Sequence, residues 1–367
     1  MIKEILLSNF KCFQKQHFEM KPLTVLMGLN GMGKSSLIQS LLLVRQSLQQ
    51  SDLSHIILNG ELIKIGKAVD LLYQDANDEI ISIEIKFRDL NKPLLLKTKN
   101  YTPDADVCEL EEANLLSIKK QSLFTDSFLF LKTERIGPRT VLPTSQYKVS
   151  QRHTLGNDGA LVGQFIETFG SKPVPNNCLK HKSENDTSVR RQIEAWLNEI
   201  SPGVRLETRE HHTLDSMQIR FSFLQGKEES NKFRASNVGF GISFVLPVIA
   251  ALLTPFKNSL IIIENPETHL HPAGQSAIGR LITCAVAAGH QVIVETHSDH
   301  LLNGIRVAIK EQLIKHSDVI IDFFDKKIED FKAHTVVSEI KIDKNGSLSD
   351  YPKYFLDEWE QQLLKLI

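Results

Sequence analysis

The sequence is poor in cysteine and has no paired cysteine motif. Its four cysteines, Cys12, Cys108, Cys178 and Cys284, are scattered, with no CxxC among them. That excludes a disulfide-stapled scaffold and a zinc ribbon, and it fits a reducing compartment. Neither sign of charge dominates: 43 Lys and Arg stand against 44 Asp and Glu, a formal net charge of −1. A polybasic nucleic-acid arm and an acidic tail are thereby excluded, though a local basic face is not. Long apolar runs are missing. The greasiest, residues 242–254, contains Pro247 and falls short of the ~20 residues that span a bilayer. The opening MIKEILLSNFKCF has no apolar stretch behind a basic start. No secretory signal is expected, and a cytoplasmic protein without membrane contact is the expectation. Internal repeats and coiled-coil heptads are absent too.

What remains is an ordinary folded composition. Apolar residues make up 41% and charged residues 24% of 367 residues, enough for about two domains or one large one. Disorder over most of the chain is excluded. Residues 2–7 and 23–27 are short apolar runs that read as strands, and the breaker-free stretch from Ser35 reads as a helix. Residues 79–87 alternate as a half-buried strand does, with 92–97 as its hairpin partner. From about 100 to 234 the signals weaken. A strand at 128–131, a helix at 189–200 and a strand at 218–224 stand out in what reads as an insertion or lid. Order returns with a helix at 239–253, a strand at 259–263, a helix at 273–288, a strand at 291–294 and a helix at 300–315. Strands at 318–324 and 335–342 follow. Strands and helices alternating in two blocks predict an α/β sheet.

The strongest local signal is Gly28-Leu-Asn-Gly-Met-Gly33-Lys34-Ser35, a G-x-x-x-x-G-K-[ST] match between a strand and a helix. Average residue usage gives such a match about a 1% chance somewhere in a chain this long. The glycines let backbone N–H groups wrap a phosphate. Lys34 then reaches the β- and γ-phosphates, the Ser35 hydroxyl ligates Mg²⁺, and the following helix aims its N-terminus at the anion. Asn30, Gly31, Gly33, Lys34, Ser35 and Ser36 are therefore the candidate nucleotide-binding residues, with ATP and Mg²⁺ as cofactors. The segment Asn91-Lys92-Pro93-Leu94 lacks the Asp of a guanine-reading N-K-x-D, which favours adenine.

Two later segments bring acids and a histidine to strand ends. Leu260-Ile-Ile-Ile-Glu264-Asn265-Pro266-Glu267 delivers carboxylates where an acid would stand beside a nucleotide-bound metal. Val292-Ile-Val-Glu295-Thr296-His297-Ser298 places a histidine at a carboxyl-end strand edge, where ligands of open α/β sheets bind. Ser298 or Asp299 also suits the N-cap of the next helix. His269, His271, His297 and His300 lack helical H-x₃-H spacing, which argues against a dedicated zinc site. In Lys132–Arg139, Arg135 or Arg139 is either a phosphate contact or part of a surface salt-bridge network. Gln46 and Gln74 are both candidates for sensing the metal and γ-phosphate. The Lys-rich residues 172–182 read as a solvated loop rather than a DNA contact.

Together these motifs resemble ABC-type ATPases of the SMC/RecF/OLD branch, also classed among bacterial AAA-family ATPases. Asn9-Phe10-Lys11-Cys-Phe13 resembles that branch's N-F-K-x-F opening. Glu264-Asn-Pro-Glu267 with His269-Leu-His-Pro272 is similar to an OLD-like Walker B and D-loop, and Glu295-Thr-His297-Ser to the switch-histidine segment. Ser236-Asn237-Val-Gly239-Phe-Gly241 is the candidate signature. Ile340-Lys-Ile-Asp343 with Tyr351-Pro352-Lys-Tyr-Phe355 looks like a small C-terminal domain of unknown function found in one bacterial subgroup.

The resemblance implies a two-lobed ABC-type P-loop ATPase with a mixed sheet and an inserted lid. Its spans would be an N-terminal ATPase lobe at 1–100, the insertion at 101–235, a second ATPase lobe at 236–315 and a small C-terminal domain at 316–367. ATP would lie between the phosphate loop of one copy and Ser236, Gly239 and Gly241 of another, in a head-to-tail dimer or higher homo-oligomer. Glu264 would take the metal-side role with Ser35, and Glu267 and His297 would be the catalytic candidates, because Asn265 stands where the general base is usually found. The branch serves DNA transactions and anti-phage defence. That implies either an ATP hydrolase acting as motor or sensor, or a nucleotide-gated switch that hydrolyses little and recruits a separate effector such as a nuclease. A nucleic-acid partner is left open. A transport ATPase subunit fits the opening and C-terminal segments less well. No coiled coil separates the lobes, and no Toprim nuclease is expected in this chain.

Overall fold

The computed structural model describes residues 1–111, 118–226, 228–329 and 332–352, with Phe355 and residues 365–366. Lys353 and Tyr354, part of the C-terminal resemblance, lie outside the described residues. The chain forms two compact units. One comprises Met1–Thr125, Val319–Lys341 and the described part of Leu348–Ile367; the other comprises Asp126–Asp318 and Ile342–Ser347.

The first unit starts with β1 (Ile2–Phe10), which buries Ile2, Ile5, Leu7 and Phe10. β2 (Phe13–Glu19) is mostly polar and buries only Phe13 and Phe18. β3 (Leu23–Gly28) is buried continuously from Leu23 to Met27, as a strand covered on both faces must be. α1 (Lys34–Ser51) follows and ends at Asp52, which is left-handed and donates its N–H to the Ser47 carbonyl. β4 (Ser82–Phe87) and β5 (Leu94–Lys97) form the expected hairpin, which completes an antiparallel sheet of order β2-β1-β4-β5. Ile5 stands opposite Phe18 on one side and Ile85 on the other.

The second unit contains β6 (Phe128–Leu131), α2 (Val162–Phe169), α3 (Val189–Asn198), β7 (Val204–His211) and β8 (Ser216–Gln225). It continues with α4 (Phe240–Leu252), β9 (Leu260–Glu264), α5 (Pro272–Ala287), β10 (Gln291–Glu295) and α6 (Asp299–Lys310). β9 lies between β6 and β10 and runs parallel to both, with Ile262 opposite Phe130 and Ile293. β7 and β8 make a separate antiparallel ribbon. α5 and α6 cross at backbone distance. A Cβ on Gly279 would lie 2.1 Å from the Leu301 carbonyl oxygen, and one on Gly304 would lie 2.2 Å from that of Ser276.

The chain then returns to the first unit as β11 (Val319–Glu329) and β12 (Lys332–Ile340). β11 is antiparallel to β12 and parallel to β3, with Phe324 opposite Gly28. Parallel and antiparallel pairings together give the α/β mixed-sheet class expected from the sequence. No helix among the described residues is long and apolar enough to cross a membrane.

Phe324 stacks on Phe18 at 6.0 Å, and Phe13 meets Phe18 edge-on at 5.5 Å. Near this apolar core sits one carboxyl, Asp322, 1% exposed, whose Oδ2 has no partner among the described residues. Burial, reinforced by Glu339 and Glu19, pushes it from 3.8 up to about 8. A folded-state pKa above the unfolded one means the native chain holds a proton that the unfolded chain has lost. The stabilising contribution is complete below 3.8 and is lost as pH rises towards about 8. Asp322→Asn should therefore raise the thermal midpoint strongly at about pH 9 and by markedly less at about pH 5. Melts at both pH values check this, and an equal shift at the two would show that Asp322 is not buried protonated.

Candidate functional site

β3 must leave the buried sheet at Gly28. That residue has φ 131°, and a Cβ there would stand 2.1 Å from the Phe324 carbonyl oxygen. Gly33 has φ 100°, and its Cβ would meet Cys12 Sγ at 2.5 Å. Both positions demand glycine. The crest between them, Leu29, Asn30 and Gly31, is exposed. Gly33 is the N-cap of α1 and offers no side-chain cap, so the helix end presents its amides and partial positive charge at the loop. Lys34 is buried, and its Nζ donates to the carbonyls of Gly28 at 2.9 Å and Leu29 at 2.8 Å. The ammonium thus lies against the loop's own carbonyls. Ser35 is exposed, whereas Ser36 is buried and accepts from the Cys12 thiol at 3.6 Å.

In the second unit, β9 ends at Glu264. Its Oε2 accepts from the Thr133 N–H at 2.9 Å and from the Thr133 hydroxyl at 3.3 Å. Asn265 turns left-handed at φ 44°, and its amide Nδ2 donates to Thr133 Oγ1 at 2.9 Å. Arg135 closes the strand end. Its guanidinium, 5% exposed, donates to the carbonyls of Lys132 at 3.1 Å, Glu264 at 2.7 Å and Asn265 at 2.5 Å. Burial pulls it down to about 10 while Glu267 and Glu264 oppose the shift, so it stays charged at neutral pH. Arg135 is therefore not the exposed salt-bridge partner that its sequence context allowed. Arg139 remains exposed.

Glu267 faces the β10 end, where its Oε1 accepts from the His297 backbone N–H at 2.9 Å. Burial raises both Glu264 and Glu267 above the ordinary carboxylate value, against the hydrogen bonds that lower them. The His297 side chain is exposed, and Ser298 caps α6 by accepting from the Leu301 N–H at 2.9 Å. The strand-end acids and the His297 segment thus meet within this unit.

The candidate signature is a 3₁₀ turn, Ala235–Asn237, leading into α4. Ser236 and Gly239 are exposed, and Gly239 caps α4 without a side-chain bond. Gly241 is needed inside the unit: its Cβ would lie 2.7 Å from the His269 carbonyl oxygen. The histidines have separate roles. His269 packs edge-on to Phe244 at 4.6 Å, and His271 accepts from the Ala273 N–H to cap α5. Gln46 is buried and bonds Ile57 O, Leu62 N and Ile63 N at 2.9, 3.1 and 3.2 Å, so it braces the loop after α1, while Gln74 is exposed.

These residues can be tested against Mg²⁺-ATP by their unmet polar capacity. Glu267 Oε2, Asn265 Oδ1 and Arg135 Nε are buried without a partner among the described residues. In the other unit, α1 begins with no side-chain cap. Both observations fit a polar, anionic ligand with a metal. Thr133, which sequence reasoning missed, follows β6 at the edge where parallel β9 delivers its acids. That shared carboxyl edge was the available signal.

A family profile described as an AAA ATPase domain matches residues 1–232. A second, described as an AAA domain in connection with an AbiEii-type toxin of type IV toxin–antitoxin systems, matches 179–303. Residues 314–366 match a family described only as a protein of unknown function. The Old nuclease of Escherichia phage P2 is 22% identical over 357 residues, 86% of this chain and 60% of that protein. The OLD nuclease of Thermus scotoductus is 22% identical over 328 residues, 81% of this chain and 59% of that protein. The chain therefore spans about 60% of the length of the nucleases it matches. Among solved structures, an SMC head bound to the C-winged helix domain of ScpA superposes with TM-score 0.55 at 15% identity, covering 92% of this chain and 98% of that one. An SMC head with an extended coiled coil, bound to the C-terminal domain of ScpA derived from Pyrococcus furiosus, gives 0.52 at 13%, covering 100% and 99%.

The Arg135 clamp makes a stability prediction that needs no ligand. Arg135→Ala should cost roughly 3 kcal/mol by leaving three carbonyls without their charged donor. Arg135→Lys should recover only part of this, because an ammonium cannot fork as a guanidinium does. Urea unfolding measures both, and a loss under about 1 kcal/mol for the alanine variant would mean the clamp is dispensable.

Proposed function

The chain belongs to the AAA ATPase domain family, and its relatives make it an SMC/OLD-like ABC-type ATPase; from that premise we propose that it binds and hydrolyses Mg²⁺-ATP in a head-to-tail dimer. The observation that carries this reading is the phosphate loop, with glycines at two crowded left-handed positions and the Lys34 ammonium against the loop carbonyls. Mg²⁺-ATP, when bound, supplies the scissile phosphoanhydride and a cation that offsets its charge. The loop amides and Lys34 hold the phosphates, with Asn30, Gly31, Gly33 and Ser36 shaping the loop. The Ser35 hydroxyl would be a metal ligand on the phosphate-loop side, and Glu264 is the acid proposed for the metal-side role in the second unit. Ser236, Gly239 and Gly241 of a second copy cover the nucleotide, supported by an exposed α4 start without a side-chain cap.

Glu267 is the proposed base that takes a proton from water. Burial raises its pKa, which brings its basicity closer to what proton transfer near neutral pH requires. The His297 N–H orients its carboxylate. Asn265 cannot serve, since its amide is not a base. That feature supports a second reading, a slow nucleotide-gated switch that recruits a separate effector such as a nuclease. The nuclease relatives support a setting in DNA transactions or antiviral defence under either reading.

Lys34→Ala should abolish steady-state phosphate release from ATP and weaken binding of a fluorescent ATP analogue. Unchanged affinity would refute the loop assignment, and binding without turnover in the parent would favour the switch. Glu267 must be ionised to act, so turnover should fall on acidification through a pKa above the ordinary glutamate range, and Glu267→Gln should cut turnover steeply and leave the residual activity without that limb. An acid limb at the ordinary range would remove Glu267 from the role. Asn265→Glu should accelerate turnover by about tenfold or more if the missing base limits the rate. No gain at full nucleotide binding would place the slow step elsewhere.

A further inference from the structure

The second unit contains a large groove that the proposed ATP chemistry does not use. Its cavity volume is about 520 Å³, and it is lined by α3, α5, α6 and the segment around residues 178–182. That falls within the range of small-ligand pockets, roughly 300–1,000 Å³.

Its cationic wall is built rather than loose. Lys180 and Lys182 flank His181, which is buried. The His181 Nε2 pairs with Glu199 Oε1 at 2.9 Å, and its Nδ1 pairs with the Ser183 hydroxyl at 2.7 Å. The Ser183 N–H also points at Nδ1, at 3.3 Å, so Nδ1 is the acceptor and the Nε2 proton goes to Glu199. The His181 N–H donates to Gln192 Oε1 at 2.6 Å, and the Trp196 indole donates to the Leu179 carbonyl at 3.3 Å. Residues 179–183 are thereby fastened to α3 and its C-terminal end. Lys180 is extended, at φ −70° and ψ 125°. His181 begins a turn, its carbonyl accepting from the Glu184 N–H at 3.2 Å, and both flanking lysines line the groove.

The charge balance selects the ligand. Arg280 of α5 is paired with Glu311, and Glu199 accepts the Nε2 proton of His181 while keeping its own charge. Neither lysine ammonium has a hydrogen bond or ion pair among the described residues. Two unpaired cations on an anchored backbone match a phosphomonoester, which carries about −1.5 to −2 near neutral pH. Ala277 and Val307, across the groove, offer an apolar surface for the rest of the molecule. A long nucleic acid fits less well, because the lining offers two lysines without a protein partner and also carries the Glu199 and Glu311 carboxylates.

We propose that this groove binds a small phosphomonoester, its phosphate held by Lys180 and Lys182 and its organic part resting on α5 and α6. The floor includes Ser276 and Gly304, the close crossing of the helices that follow the Glu264 and His297 segments. The site does not depend on the ATPase reading.

Equilibrium dialysis of the full chain tests it, with Lys34→Ala silencing the phosphate loop and AMP and inorganic phosphate as probes. Saturable binding of AMP, displaced by inorganic phosphate, is expected. Lys180→Ala/Lys182→Ala in the same background should weaken it by about tenfold or more, whereas Lys172→Ala, which lies outside the groove, should not. Circular dichroism verifies that each variant is folded. No saturable binding of either probe overturns the proposal. So does AMP binding indifferent to the two lysines, which would place the anion elsewhere. Lysine-dependent binding of a single-stranded oligonucleotide without AMP binding also overturns it in favour of a nucleic-acid surface.

Discussion

A buried parallel strand that ends inside a protein leaves carbonyls that neither sheet nor water satisfies, and Arg135 meets that need at the end of β9. One guanidinium takes three carbonyl oxygens, two of them from Glu264 and Asn265. With those carbonyls held, the chain turns left-handed at Asn265 and brings Glu267 back to the His297 N–H. The same charge sits near both carboxylates and offsets part of the cost of burying them. The proposed chemistry of this edge therefore rests on a residue that need not touch a nucleotide.

The helices behind that edge are coupled by absence of side chains. Gly279 and Gly304 let α5 and α6 touch backbone to backbone. α5 starts at Pro272, shortly after Glu267, and α6 starts at Asp299, just after His297. A displacement of one helix is passed to the other without a compressible layer between them. The groove on this pair thus overlies the supports of both strand-end segments.

Much of this was legible because backbone requirements write themselves into residue type. Gly28, Gly33 and Lys34 were readable since no other residues satisfy those torsions, contacts and charge. The apolar runs at β3, β9 and β10 stood out because strands buried on both faces lack polar positions. The polar β2 and the charged β7 escaped notice, since their few buried residues leave little periodic signal, while α2, eight residues long and mostly buried, is too short for a helical period to stand out. Side-chain direction was the other blind spot. A charged turn reads alike whether Arg135 faces water or carbonyls, and Gln46 gave no sign that its amide braces a loop. The Lys-rich 172–182 segment read as solvated because the bonds anchoring it through His181 come from Gln192 and Glu199, further along the chain.

The sheet order of the first unit has a consequence for synthesis. β3, whose end becomes the phosphate loop, pairs with β11, some three hundred residues of chain order later, and Gly28 packs against the Phe324 carbonyl. A ribosome delivers β3 early and its neighbour late. Through most of translation the loop's supporting strand therefore has an open edge beside an unfinished core. The phosphate loop is completed only when the late hairpin arrives, so a nascent or prematurely ended chain lacks the support that shapes it. Maturation of the loop is in this sense a checkpoint on the length of chain produced.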